Sequence, residues 1–142
     1  MKLWRICILF ILVLSIGYGK EIDEKELVFR NGLAYEVNST SEFTGTMTKT
    51  YKSGQLFSRK NYQNGQLEGI TEYYFENGEL RGEENYKNDK LEGIAKSYYP
   101  NGQLQSEVNY INGKREGISK MYYENGELQS ERNYKNGKLV SY

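Results

Sequence analysis

The chain has 142 residues, 19 of them basic and 19 acidic, with a single cysteine and no histidine. That composition removes the usual zinc ligands, the usual general base and any disulfide framework. The charges are balanced and alternate in sign, which points away from nucleic acid or an anionic membrane as the partner.

Residues 1–19 have the anatomy of a secretory signal. Lys2 and Arg5 precede an apolar run from Ile6 to Ile16, and Gly17 and Gly19 flank Tyr18 as a small-residue cleavage site. About eleven apolar residues would span only about 16 Å as a helix, too little for a roughly 30 Å bilayer core. The expectation is export to the periplasm, cell envelope or medium, with cleavage near Gly19. Cys7 lies within the apolar run, so the mature chain has no thiol, and losing Lys2 and Arg5 leaves 17 basic against 19 acidic residues.

Residues 20–44 read as an N-terminal tail and an irregular capping hairpin. Ile22 to Glu26 is short and charged, while Leu27-Val28-Phe29 leads through Asn31-Gly32 into Leu33-Ala34-Tyr35-Glu36-Val37. A stacked array needs such a unit to shield its first edge.

From Gly45 to Val140 one 24-residue unit repeats four times without insertion, as residues 45–68, 69–92, 93–116 and 117–140. Ser141-Tyr142 begins a fifth copy. Each copy has two turn dipeptides, at unit positions 9–10 and 20–21. They include Ser53-Gly54 and Asn64-Gly65 in the first copy and Asn77-Gly78 and Asn88-Asp89 in the second. Asn-Gly favours a two-residue type I′ turn, so each copy is expected to be two strands in an elongated, all-β, single-layer antiparallel meander. Pro100 is placed as a turn flank before Asn101-Gly102.

With two-residue turns, positions summing to 19 oppose one another across the first turn and positions summing to 41 across the second. One face then collects the opening glycine, the position-7 aromatics Tyr51, Phe75, Tyr99 and Tyr123, the position-12 leucines Leu56, Leu80, Leu104 and Leu128, and the position-18 tyrosines Tyr62, Tyr86, Tyr110 and Tyr134. In this register the position-7 ring opposes the position-12 leucine, and the position-18 ring lies over the bare backbone of the glycine. These eight aromatic residues are the candidate binding surface. Their rings either hold a thin sheet together or stack against a ligand, and both readings stand at this point.

The other face is expected to be more polar, with Lys96 opposite Glu107 and Lys120 opposite Glu131. Glu72 opposite Glu83 breaks the pattern and calls for a local register change or a diagonal cation such as Arg59. The acidic residues Glu83, Glu107 and Glu131 recur every two strands, roughly 9.6 Å apart, too far for two of them to share one ion. No catalytic, cofactor-binding or metal-binding residue is expected. Equal environments around repeated carboxylates also disfavour an acid and base pair.

Asn88-Asp89-Lys90-Leu91-Glu92-Gly93 and Asn112-Gly113-Lys114-Arg115-Glu116-Gly117, the latter followed by Tyr122-Tyr123-Glu124-Asn125-Gly126-Glu127-Leu128, resemble the variant form of the MORN (membrane occupation and recognition nexus) repeat. The resemblance covers Gly45 to Tyr142. It implies a twisted single-layer sheet that binds or scaffolds without catalytic residues, its partner a protein, glycan or lipid, and it leaves association with a membrane surface open. Bacterial relatives of this kind are often labelled antitoxins, a role that fits this chain only if the toxin is exported too or Met1 is not the true start. A lipid-kinase label attached to other MORN proteins finds no phosphate-cradling loop here, since the glycines are isolated turn glycines.

Overall fold

The computed structural model describes residues 19–140. The leader expected over residues 1–19 and the fifth copy begun at Ser141-Tyr142 fall outside them, apart from Gly19. The chain forms β1 (Lys20–Asp23), β2 (Leu27–Arg30), β3 (Leu33–Glu36), β4 (Gly45–Thr50), β5 (Leu56–Gln63), β6 (Gln66–Tyr74) and β7 (Leu80–Lys87). It continues with β8 (Lys90–Leu91), β9 (Gly93–Tyr98), β10 (Leu104–Ile111), β11 (Lys114–Arg115), β12 (Gly117–Tyr122), β13 (Leu128–Lys135) and β14 (Lys138–Val140). From β4 onward each strand pairs antiparallel with its successor in one open sheet, β8 and β11 being short leads into β9 and β12. The all-β meander is therefore present as read.

The second turn of each copy is the type I′ turn expected. Asn64 and Gly65 have φ of 49° and 76°, and the equivalent pairs in the later copies repeat these values closely. The Asn88-Asp89 pair keeps the geometry with φ of 48° and 63°, and the Asp89 carboxylate accepts the Leu67 N–H at 2.7 Å.

The first turn differs from the expectation. In Tyr51-Lys52-Ser53-Gly54 the Gly54 N–H bonds to the Tyr51 carbonyl at 3.0 Å and the Tyr51 N–H to the Gln55 carbonyl at 2.8 Å, and of the dipeptide only Gly54 has positive φ. This is a three-residue loop closed by a left-handed glycine, with a bulge beside it. The ladder consequently slips: Lys49 opposes Ser58, but Thr50 opposes Leu56. The slip corrects the expected pairing of the position-7 ring with the position-12 leucine. Leu56, Leu80 and Leu128 are instead the direct partners of Thr50, Tyr74 and Tyr122, and Leu104 of Tyr98.

A second irregularity falls where each copy begins. Gly69, Gly93 and Gly117 have φ of 83°, 84° and 75°, a conformation L side chains rarely adopt. They do pair with Tyr86, Tyr110 and Tyr134. Yet a Cβ built on Gly69 or Gly117 would meet no atom within 4 Å, so no ring covers that spot. The glycine is required by backbone conformation, which corrects the expectation of a ring over bare backbone.

Residues 20–23, read as a tail, form a strand parallel to β4, and Ile22 is buried. A 3₁₀ turn over Glu24–Glu26 follows, its Asp23 side chain accepting the Lys25 N–H at 2.9 Å. The β2–β3 hairpin forms its own two-stranded sheet with a bridge from Tyr35 to Glu42, and it docks on the first type I′ turn of the repeats, the Ala34 N–H bonding to the Gly65 carbonyl at 2.8 Å. The buried apolar core is local to this end and consists of Ile22, Ala34, Phe43, Met47 and Tyr62, with Leu27 and Leu67 packed against it.

Candidate binding surface

Directly opposed residues share a face, so the register defines each face row by row. One row runs Ser58, Tyr73, Gly82, Ser97, Ser106, Met121, Ser130 across β5 to β13. Beside it run Met47, Lys60, Thr71 and Glu84, then Ala95 and Val108. Most of these residues are small, and Ser58, Thr71 and Gly82 are buried, as is Ser119 two residues from Met121 on β12. They floor a trough. Its two sides, near the two sets of turns, carry the aromatic candidates.

Toward the first turns, the Tyr51 and Phe57 rings meet edge to face at 5.1 Å, and Phe57 and Tyr73 at 6.4 Å. The Tyr51 hydroxyl donates to the Tyr74 carbonyl at 2.8 Å and the Tyr99 hydroxyl to the Tyr122 carbonyl at 2.9 Å, each tying one copy to the next. Phe75 occupies the same place without a hydroxyl. Tyr123, in the last copy, is 49% exposed.

Toward the second turns, the four tyrosines are not equivalent. Tyr62 is 6% exposed and packs on Phe43 at 5.9 Å, so it offers no ring to a ligand, and burial pushes its phenol up to about 12. Tyr86 is half-buried and donates to Glu84 at 2.8 Å, while Tyr73 donates to the same carboxylate at 3.2 Å. Burial, then the Glu84 charge, raises the Tyr73 phenol to about 12, and burial with the Glu84 hydrogen bond raises that of Tyr86 further. At the far end the Arg115 guanidinium lies 5.3 Å from the Tyr134 ring centre and 3.4 Å from its hydroxyl, lowering that phenol's pKa. Arg115 sits where the other copies have leucine.

The opposite face is less polar than the sequence suggested. Ile70, Ile94 and Ile118 stand on it about half exposed, opposite Asn85, Asn109 and Asn133. A single file of charges crosses it: Arg59, Glu72, Glu83, Lys96, Glu107, Lys120, Glu131. Glu72 and Glu83 are direct partners, without any register change between them. Each is met from its outer side, Glu72 by Arg59 at 3.7 Å and Glu83 by Lys96 at 3.8 Å. Arg59 thus acts from directly across the neighbouring strand rather than diagonally. These pairs are partly exposed, and each is worth under about 1 kcal/mol.

The sequence reading missed the glutamate that ends each of the first three copies. Glu68, Glu92 and Glu116 accept the backbone N–H of Asn88, Asn112 and Asn136 at 3.0, 2.9 and 2.7 Å, and Thr44 does the same for Asn64 at 2.9 Å. The recurrence of an acid immediately before the left-handed glycine was the available signal.

The family model described as MORN repeat variant matches three stretches, residues 67–88, 91–112 and 115–136. This is a MORN repeat chain. No curated protein matches it. The three MORN matches recur at the 24-residue period and end at Asn88, Asn112 and Asn136, the first residues of successive type I′ turns. The first copy lies almost wholly before them, yet it repeats the same first-turn bulge and the same glycine–tyrosine pairing. MORN repeats are in general modules of binding and scaffolding.

Proposed function

We propose that this MORN repeat chain is an exported, non-enzymatic binding module that holds a protein, glycan or lipid partner in the trough between its two aromatic borders. One observation carries this reading: beyond the capped first copy, aromatic rings border a floor of small residues on a face that no other segment of residues 19–140 covers. Large, stiff amphipathic rings give contact area at low entropic cost. Export rests on the charged start, short apolar run and small-residue pair of residues 1–19.

The test has two parts. Mass spectrometry of the periplasmic or extracellular protein is expected to find an N-terminus at or near Lys20, and intact Met1 in a cytosolic fraction refutes export. Peptide, glycan and lipid arrays probed with the exported chain are expected to give hits that Phe75→Ala and Tyr123→Ala weaken without loss of the sheet spectrum. Hits that ignore both variants refute the trough as the binding face.

A further inference from the structure

The second copy departs from its siblings at two adjacent positions. Where the others read Phe57-Ser58, Gln105-Ser106 and Gln129-Ser130, it reads Arg81-Gly82. Gly82 is not among the residues with positive φ, so its torsions do not call for glycine, although a Cβ there would lie 3.1 Å from the Lys96 carbonyl oxygen. Its effect is on the floor, which loses a side chain there. Two hollows adjoin at this point, of about 320 and 370 Å³, and both are lined by Arg81 and Ser97. Phe57 and Tyr73 wall the first, and Phe75 and Tyr99 the second.

The charges around the hollows are already engaged, with one exception. Glu84 accepts from Tyr73 and Tyr86, while Glu83 is held by Lys96 and by the Tyr98 hydroxyl at 3.2 Å. Arg81 is exposed and has no hydrogen bond or ion pair among the described residues. It is therefore an uncompensated cation between two pairs of aromatic walls. Behind it the Ser97 hydroxyl lies 2.6 Å from that of Ser106 and donates to the Gln105 side-chain amide oxygen Oε1 at 3.1 Å, a cluster able to exchange hydrogen bonds with ligand hydroxyls.

We infer that this paired hollow is a site for an acidic saccharide, with sugar rings against the aromatic walls and a carboxylate on Arg81. Guanidinium and carboxylate form a matched two-point pair, and each hollow lies at the small end of the size range of ligand sites. An extended peptide is the weaker fit. Peptides that join sheets do so through main-chain hydrogen bonds at an edge, whereas β7 is paired on both sides, by β6 and by β8 and β9. Recognition here must come from side chains.

This inference rests on the trough being the binding face and narrows it to a ligand class. The experiment is calorimetric titration of the exported chain with oligogalacturonate, with its methyl ester as the uncharged control, and with an acidic peptide. The acid is expected to bind about tenfold or more tightly than the ester, as suits one charge-assisted pair. Arg81→Gln should abolish that preference. Gly82→Ser, which restores the sibling residue, should weaken binding of acid and ester alike. Equal binding of acid and ester, retention of the preference in Arg81→Gln, silence of both saccharides, or binding of the peptide alone each overturns the inference. Array hits that depend on Phe75 and Tyr123 but ignore Arg81 sink this inference while leaving the broader binding reading intact.

Discussion

Phe75 interrupts a chain of hydroxyl ties, and restoring the tie should stabilise the array. Tyr51 and Tyr99 each reach the next copy's carbonyl, at 2.8 and 2.9 Å. Phe75 sits in the same turn, its N–H on the Glu79 carbonyl at 2.8 Å and its carbonyl receiving the Gly78 N–H at 2.9 Å. In Phe75→Tyr the new hydroxyl is expected to reach the Tyr98 carbonyl, 23 residues on as in the other two ties. A net hydrogen bond is worth about 1 kcal/mol, which for a domain of this size raises Tm by roughly 3 to 6 °C. The converse variants Tyr51→Phe and Tyr99→Phe should each lose about as much. Tyr123→Phe should change nothing, because the Tyr123 hydroxyl has no partner among the described residues. Urea melts at constant m-value read all four. A Phe75→Tyr variant no more stable than the parent, beside a Tyr99→Phe variant that loses nothing, would show that these hydroxyls do not join the copies.

Gly69→Ala should cost about 1 to 2 kcal/mol in the same melts although space for the methyl is open, since the penalty is conformational; an unaffected variant refutes the left-handed geometry. Tyr86→Ala, centrally placed, should cost roughly 1 to 3 kcal/mol and Tyr134→Ala less; equal losses would mean that stability is not shared between neighbouring copies. Spectrophotometric titration should find Tyr73 ionising late, near 12 against an ordinary 10.0, because burial and Glu84 disfavour the phenolate. The folded state then holds a proton that the unfolded chain releases, so the stability Tyr73 contributes is complete below pH 10 and is lost as pH rises toward 12. Tyr73→Phe should remove one late-titrating group, and a normal titration of the parent would refute the burial argument.

The period, the strand count of each copy and the type I′ turns were legible because each is dictated locally. Asn64 and Gly65 both take positive φ, and few other dipeptides do so cheaply. The first turn was misread because the same Asn-Gly pair serves a different loop there. Pro100 held the clue: its fixed φ suits the second residue of the type I turn that the Tyr99–Gly102 hydrogen bond closes. Once that turn is misassigned, the bulge behind it moves the position-12 leucines away from the position-7 rings. The site was legible only as a set of aromatic positions. Nothing local told Tyr62, sealed by the hairpin that carries Ala34, from Tyr86, and the isolation of Arg81 depends on which neighbours the register assigns to Glu83 and Glu84.

The glutamate links give the array a direction. Each acceptor, from Thr44 to Glu116, lies 20 residues before the turn whose N–H it receives, and never after it. The chain emerges with its N-terminal end first, and a hairpin closes in microseconds. Every turn therefore emerges onto an acceptor that is already folded, and the cap that carries Phe43 is made first of all. Trimming copies from the C-terminal side leaves each remaining turn with its acceptor. Removing the cap and the first copy together instead strands Asn88 and Asp89, whose N–H groups are received by Glu68 and by the Leu67 carbonyl. For its turns the two ends of this nearly uniform chain are thus unequal: those that remain keep their acceptors when it is shortened from one side and lose one when it is cut from the other.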